Sequence, residues 1–482
     1  MSTATKKNHD LIHLIVMLTI IGCFFVCDPF SKSLSSTGMK VLGVFLAGCY
    51  GWATAGVFWP SILCMIALPF TGVATMQEIL AAGPGNFMFL FILFMLVFNE
   101  ILDQTGVNVT IAKWFISRKI VAGKPWVLLF FLIFATYLIS TVCSIFICLF
   151  LTWSLIYGIC ESVGYKKHDK LPTILVIYTL FVCMMGYLTM PFHGMVVQLL
   201  AGWAKMSGTP VAFGTWLSFS IPIGFGSVLL SFLVIKYIIR PDVEKLRNYD
   251  PSIIKSEEIR FTKPKVLILC TLLFFVFALL IAGFLPSTNP FAYVINTLGQ
   301  SGFIALIIVL LLFIKIDGKP LFDFKQTAAK GISWDILMCT MYMLALGTYL
   351  ASPELGINKF FLELFMPILG SLSPTVFAII LGLIIVILTQ LLANLAVAFM
   401  FLPIVLSFAP VIGFNATAVA MVVIFAAHLA MITPASSIYA AIMHANTEWV
   451  TRKEAMVYSA IIIVVVAIIM IPIASLLSAI VA

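Results

Sequence analysis

Apolar runs about as long as a bilayer is thick recur from one end of this chain to the other, and they constrain its fold more than any single motif. A helix crosses a hydrocarbon core with about 20 apolar residues. Of the 482 residues, 62% are hydrophobic and 10% charged, whereas soluble domains carry about 25% charged residues. Lipid must therefore be the solvent for most of the surface, and the expected fold class is an all-α polytopic membrane protein. The runs predict eleven spans, at 11–27, 39–57, 59–70, 87–104, 172–206, 211–239, 266–284, 297–316, 334–352, 417–447 and 455–480. Two further apolar stretches, 126–160 and 374–411, read as re-entrant hairpins that enter and leave on one side.

The net charge of +8 would suggest nucleic acid in a soluble chain. Here the positive-inside rule accounts for it, and no nucleic-acid partner is expected. With the N-terminus inside, the segments at 1–10, 105–125, 161–171, 240–265, 317–333 and 448–454 collect nearly all the basic residues. Only Lys32, Lys40, Lys205 and Lys359 of the 27 Lys and Arg fall outside. Reading 126–160 as a single span would put Lys166, Lys167 and Lys170 opposite Lys113 and Lys124, so the charges themselves require the hairpin. The expectation is a multi-pass protein of the cell membrane, N-terminus cytoplasmic and C-terminus outside. Lys6 and Lys7 precede Leu11–Val26, which lacks a small-residue cleavage pattern and reads as a first span. The ten cysteines stand singly in apolar runs without metal or disulfide spacing.

The most polar segment, Arg240–Lys265, reads as a cytoplasmic linker between a first half, 11–239, and a second, 266–482. Across it the sequence repeats. Thr105-Gly106-Val107-Asn108 answers Leu355-Gly356-Ile357-Asn358, each followed by a short amphipathic stretch, then a break (Gly123-Lys124-Pro125; Ser371-Leu372-Ser373-Pro374) and an apolar hairpin. Next comes a helix broken at proline, Thr189-Met190-Pro191-Phe192-His193-Gly194 in 172–206 and Ile432-Thr433-Pro434-Ala435-Ser436-Ser437 in 417–447. The first glycine segment is expected inside and the second outside, so the repeat is inverted, a recurrent design of secondary carriers.

Candidate site residues follow from the breaks. A helix interrupted at mid-depth offers free N–H groups and a positive dipole end to anions, and free carbonyls with Ser, Thr or Asn oxygens to Na⁺. Thr189, Pro191 and His193 in one break, and Thr433, Pro434 and Ser436 in the other, are candidates for binding a small anionic substrate. The two prolines are expected to hold the helices open. At the hairpin tips stand Ser140 to Ser144 and Thr389 to Asn394; if that stretch were helical, Gln390 and Asn394 would share a face. Glu100, Asp103 and Asp335 lie near inner ends of spans, where a structural role is the usual one. His428 reads as a hydrogen-bonded core histidine, and His193 as a residue lining its break.

At these residues the chain resembles the divalent anion/sodium symporter family of di- and tricarboxylate and sulfate carriers, within the wider ion-transporter superfamily. That family has a serine-asparagine-threonine motif at each hairpin tip and a Thr-Pro or Ser-Pro break in the following helix. Leu392-Ala393-Asn394-Leu395 through Leu402-Pro403 and Met431-Ile432-Thr433-Pro434 resemble the second copies of these. Only Asn394 of the triplet is present, flanked by Ala393 and Leu395, and the first tip has no asparagine. An offset of 250 pairs Ser144 with Asn394; an offset of 249, set by Pro125 and Pro374, pairs Ser140 with Thr389 and Ser144 with Ala393. The resemblance implies substrate contacts at Ser144 and Asn394, and Na⁺ as coupling ion near Ser140, Thr389 and Asn394. It also implies a homodimer with a scaffold and an elevator-type transport domain, and no organic cofactor. A channel filter, a nucleophile with its base or paired carboxylates, and a nucleotide loop are all unreadable here. The expected function is cation-coupled transport of a small organic anion, with proton-coupled or exchange transport of another small solute as the alternative.

Overall fold

The computed structural model describes residues 3–250, 259–285 and 288–482. The middle of the linker, with Lys255, lies outside them, as do the side chains of Lys6, Lys7 and Lys119. The first half runs α1 (Thr3–Val26), α2 (Ser36–Thr54), α3 (Phe58–Ala67), α4 (Met76–Ala82), α5 (Phe87–Thr105), α6 (Val107–Ile116), α7 (Pro125–Ser140), α8 (Ile145–Ser162), α9 (Lys170–Thr189), α10 (Gly194–Ser207) and α11 (Phe213–Val234). The second half opens with α12 (Lys263–Phe284) and α13 (Pro290–Leu312), followed by a small antiparallel ribbon in which β1 (Lys315–Ile316) pairs with β2 (Lys319–Pro320). It continues with α14 (Phe324–Gly331), α15 (Trp334–Leu350), α16 (Ile357–Leu369), α17 (Pro374–Leu388), α18 (Asn394–Ile412), α19 (Ala416–His428), α20 (Ile438–Ala445) and α21 (Arg452–Val481).

Among the described residues, eight helices are long and apolar enough to cross a membrane, or up to ten if two bent pairs each count as one span. Those pairs are α14 with α15, bent by 69°, and α16 with α17, bent by 100°. Length and composition alone therefore do not reach the expected eleven. The expected spans at 39–57 and 59–70 fall on α2 and α3, which are not among the eight, and 417–447 is divided between α19 and α20. Conversely α8 and α18, expected as hairpin arms, are long enough to cross. Helices α4 and α14, seven and eight residues long, are too short to show as apolar runs and were not expected.

The core sits around α9, in which every residue from Leu171 to Thr189 is buried. It packs on α7, α8, α11, α19, α20 and α21. By contrast α12 turns Phe274, Phe277 and Ile281 outward, as a lipid-facing helix should.

Side-chain contacts gather the basic segments on one side. Tyr165 donates to Asp242 O at 2.8 Å, Lys245 Nζ to Gly164 O at 3.0 Å and Lys265 Nζ to Thr110 Oγ1 at 2.6 Å. Lys263 pairs with Asp317 at 3.7 Å, and Lys167 with Glu448. The Glu448 carboxylate beside it holds the Lys167 ammonium above its usual range. The Glu244–Asn248 turn touches α7 while Lys245 holds the loop after α8, so both ends of that hairpin lie at one level. In the second hairpin Phe377, in the first turn of α17, stacks on Phe414 beyond the end of α18, with centroids 4.9 Å apart. By the positive-inside rule, the basic side is the one expected to face the cytoplasm. Single cysteines at Lys166 and Arg452, on a background without native cysteines, are thus expected to resist an impermeant thiol reagent added outside whole cells; ready labelling of both would reverse the orientation.

The repeat is visible in the backbone. Gly106 (φ 65°) joins α5 to α6 and Gly356 (φ 73°) leads into α16, both in the left-handed region that glycine alone enters at little cost. At Gly356 a Cβ would also strike Ser33 O. Pro125 and Pro374 each begin a hairpin helix, where proline's missing donor is no loss. The register of the tips is resolved too. Ser144 (φ −59°, ψ 138°) and Ala393 (φ −57°, ψ 126°) are the N-caps of α8 and α18, so the offset there is 249. Residues 389–393 are one longer than 141–144, and α17 with 15 residues is one shorter than α7 with 16, so the offset is 249 on both sides of the tip.

Candidate functional site

In the second half the hairpin tip is stitched to the broken helix by one side chain. After Leu388 the chain tightens into turns, with Gln390 N on Ile387 O at 3.2 Å and Leu391 N on Leu388 O at 2.9 Å. Gln390 then reaches across. Its Nε2 donates to Val386 O at 2.8 Å and to Leu429 O at 2.6 Å, while its Oε1 accepts from Met431 N at 3.3 Å and Ile432 N at 3.0 Å. Thr433 Oγ1 donates back to Gln390 O. The other groups freed between α19 and α20 are met locally: Ser437 Oγ donates to Ala430 O at 3.0 Å, Ser436 Oγ to Thr433 O at 2.7 Å and His444 Nε2 to Ile432 O at 3.1 Å. Asn394 N donates to Ser436 O at 3.1 Å, so α18 starts against the break. A broken helix in lipid needs every such group paired, and this one achieves it largely through Gln390.

The first half solves the same problem from the opposite side. Here the break supplies the bridging residue: His193 Nε2 lies 2.8 Å from Thr141 O at the tip. A carbonyl only accepts, so Nε2 carries the proton. The imidazole is buried and stacks on Tyr187 with centroids 4.3 Å apart. The carbonyls freed at the end of α9 are taken by α11, with Ser220 Oγ on Thr189 O at 2.7 Å and Trp216 Nε1 on Leu188 O at 3.2 Å. Thr189 Oγ1 donates to Met185 O at 3.0 Å and meets Tyr137 OH at 2.8 Å. Tip and break approach closely because Gly186 has no side chain; a Cβ there would fall on Ser140 Oγ.

The two halves meet between α8, α9 and α20. Phe146, in the first turn of α8, lies 4.9 Å from Tyr439 of α20. Tyr187 OH lies against the start of α10, where a Cβ on Gly194 would fall 2.5 Å from it. Four helix N-termini thus come together: α8 and α18 from the tips, α10 and α20 from the breaks. Ser144 makes no side-chain cap, which leaves first-turn amides of α8 as donors, whereas the start of α10 faces Tyr187 OH and Ser437 caps α20. No Lys or Arg occurs in 136–148, 186–200, 386–398 or 426–445. Ser144, Asn394 and Thr433 are half-buried here, and Pro434 is exposed. The arrangement offers an anion amide dipoles and hydroxyls rather than charged side chains.

Several expectations change. Gln390 and Asn394 do not share a helix face, because 389–393 is a turn and α18 begins at Asn394. His193 is engaged as a stitch rather than free to line the break, and Pro191 and Thr189 are buried beside it. His428 is a core histidine, with Nδ1 on Ile424 O at 2.8 Å, but its Nε2 is buried without a partner. Of the Na⁺ candidates, Ser140 donates to Tyr137 O at 2.9 Å, Thr389 to Ala427 O at 3.4 Å, and Asn394 Oδ1 accepts from Leu395 N at 2.9 Å. Ser140 belongs to one tip and Thr389 with Asn394 to the other, so they are two places. Tyr187, Tyr439, Tyr137, Ser220 and the bridging role of Gln390 were not singled out; a polar tip on an aromatic ring deep in an apolar span was the available signal.

Comparison with known proteins adds one finding. The sequence profile of a citrate transporter family matches residues 45–427, from within α2 to the end of α19. No curated protein matches the chain.

Proposed function

The chain belongs to the citrate transporter family, within the ion transporter superfamily, and on that premise we propose that it couples entry of a di- or tricarboxylate anion to a cation, Na⁺. As a member of that family it is a secondary transporter and not an enzyme. The match reaches the superfamily that the sequence resemblance named, without reaching the divalent anion/sodium symporter branch.

The observation that carries the reading is the convergence of four helix N-termini at a place without basic side chains. Each N-terminus presents about half a positive charge, worth up to about 2 kcal/mol toward an anion in a partly buried site. Such dipoles suit one carboxylate well, but a multiply charged anion needs further neutralisation in lipid, which a co-bound cation supplies. Oxygens of Ser140 in one half, and of Thr389 and Asn394 in the other, are the nearest hard donors. In this reading the hairpins with α9–α11 and α19–α21 form the moving transport domain, and the remaining spans form the scaffold of a homodimer.

A specific observation favours a second reading. His428 Nε2 and His444 Nδ1 are buried acceptors with no donor, and both flank the second break, so a proton is the alternative coupling ion. The two separate cleanly. Under Na⁺ coupling, Asn394→Ala and Thr389→Ala should each raise the Na⁺ concentration for half-maximal uptake about tenfold, the loss of roughly 1.4 kcal/mol of ion binding. Parent uptake indifferent to Na⁺ but driven by a pH gradient would replace Na⁺ with H⁺.

A further inference from the structure

The repeat supplies its own control at the end of α5. In the second half Asn358, two residues after Gly356, has its Oδ1 3.3 Å from Ser407 Oγ of α18, a hydroxyl it shares with Pro403 O at 2.7 Å. In the first half the matching Asn108, two residues after Gly106, is 2% exposed and its Oδ1 has no donor. The offset of 249 that pairs Ala393 with Ser144 pairs Ser407 with Gly158 of α8, and α8 touches α6. Gly158 has no hydroxyl and is itself exposed, with nothing within 4 Å of where its Cβ would be, so it offers Asn108 no donor. An orphaned buried oxygen is costly enough to call for an occupant.

The surroundings select the occupant's charge. Asn108 donates its Nδ2 to Asp103 Oδ1 at 2.9 Å, so the orphaned oxygen of that same amide sits beside the Asp103 carboxylate. Asn99, one turn earlier on the same face of α5, has a second buried Oδ1 without a donor. Helix α5 ends here at Gly106, and its negative dipole end adds to the carboxylate. Two neighbouring ammonium groups are already engaged: Lys330 pairs with Glu100 at 2.8 Å and Lys265 donates to Thr110 at 2.6 Å. Glu100 also accepts from Gln104 Nε2 at 2.9 Å. In the second half Pro353 and Tyr349 occupy the places of Asp103 and Asn99 at the offset of 250, so the oxygen cluster belongs to one half only.

We propose that Asp103, Asn108 and Asn99 hold one small hard cation, Na⁺, at the junction of α5 and α6. One carboxylate balances one positive charge, and amide and carboxylate oxygens are the donors a hard cation takes. The ion ties the start of α6 to the end of α5 and serves the structure or its regulation rather than coupling.

Thermal unfolding of the purified full chain, titrated with NaCl against choline chloride at constant ionic strength, tests this. The parent midpoint should rise by about 3 °C or more with Na⁺, and Asp103→Asn should lose the rise. Asn108→Leu, which removes the orphaned oxygen, should lose it too, while Ser140→Ala at the first tip should keep it. Thr389→Ala, at the second tip, should keep the increment whether or not Na⁺ drives transport. No increment in the parent would mean ordered water only and overturn the proposal. So would an increment that survives both Asp103→Asn and Asn108→Leu, or one that Ser140→Ala or Thr389→Ala abolishes.

Discussion

Gln390→Leu is expected to reduce uptake at least about a hundredfold per folded molecule, the largest effect of any single change at the site. The amide makes four hydrogen bonds to backbone groups, and leucine is close in size but makes none. Leu429 O, Met431 N and Ile432 N would be left unpaired at a break with no helical alternative, and each such group costs about 1–3 kcal/mol. A penalty on that scale moves the break to another conformation, and α18 loses its anchor at Ser436. Gln390→Glu keeps the acceptor for Met431 and Ile432 but loses the donor to Leu429, so its uptake should fall between those of parent and leucine variant. Uptake measured together with the thermal midpoint checks this; leucine-variant uptake within threefold of parent would remove Gln390 from the account.

The second large effect is expected at His193, and the two replacements should differ sharply. His193→Leu removes the donor to Thr141 O and the stack on Tyr187, and should cut uptake at least about tenfold, the equivalent of one buried hydrogen bond's 1.4 kcal/mol. His193→Gln carries an Nε2 donor of similar reach and should retain most activity with an unchanged pH profile. Loss of transport in both variants, with the pH dependence abolished in the glutamine form, would instead make the imidazole a proton carrier.

Much of this architecture was legible because its signals are local or depend only on charge. Gly106 and Gly356 announce left-handed turns, Pro125 and Pro374 announce helix starts, and the basic residues sorted segments that the structure brings together through Tyr165, Lys245 and Lys265. The site itself was legible as places rather than as roles. Thr433-Pro434 and His193 marked the breaks, but what holds a break open depends on partners far along the chain. Gln390 meets carbonyls and amides 39–42 residues away, and no spacing rule reports that. The second break spans 429–437 and is held by Gln390, Ser437 and His444, so Pro434 alone is not what keeps it open. Tip register was hidden for another reason: Ser144 and Ala393 share a backbone conformation while their side chains differ, and one tip is a residue longer.

Gradient-driven uptake tests the central claim most directly. Reconstituted into proteoliposomes, the protein should accumulate labelled citrate above its outside concentration when an inward Na⁺ gradient is imposed. Accumulation should collapse when the gradient is dissipated with an ionophore, and an excess of an unlabelled tricarboxylate should compete. Citrate uptake that only equilibrates, at a rate indifferent to both Na⁺ and pH gradients, would contradict a cation-coupled carrier.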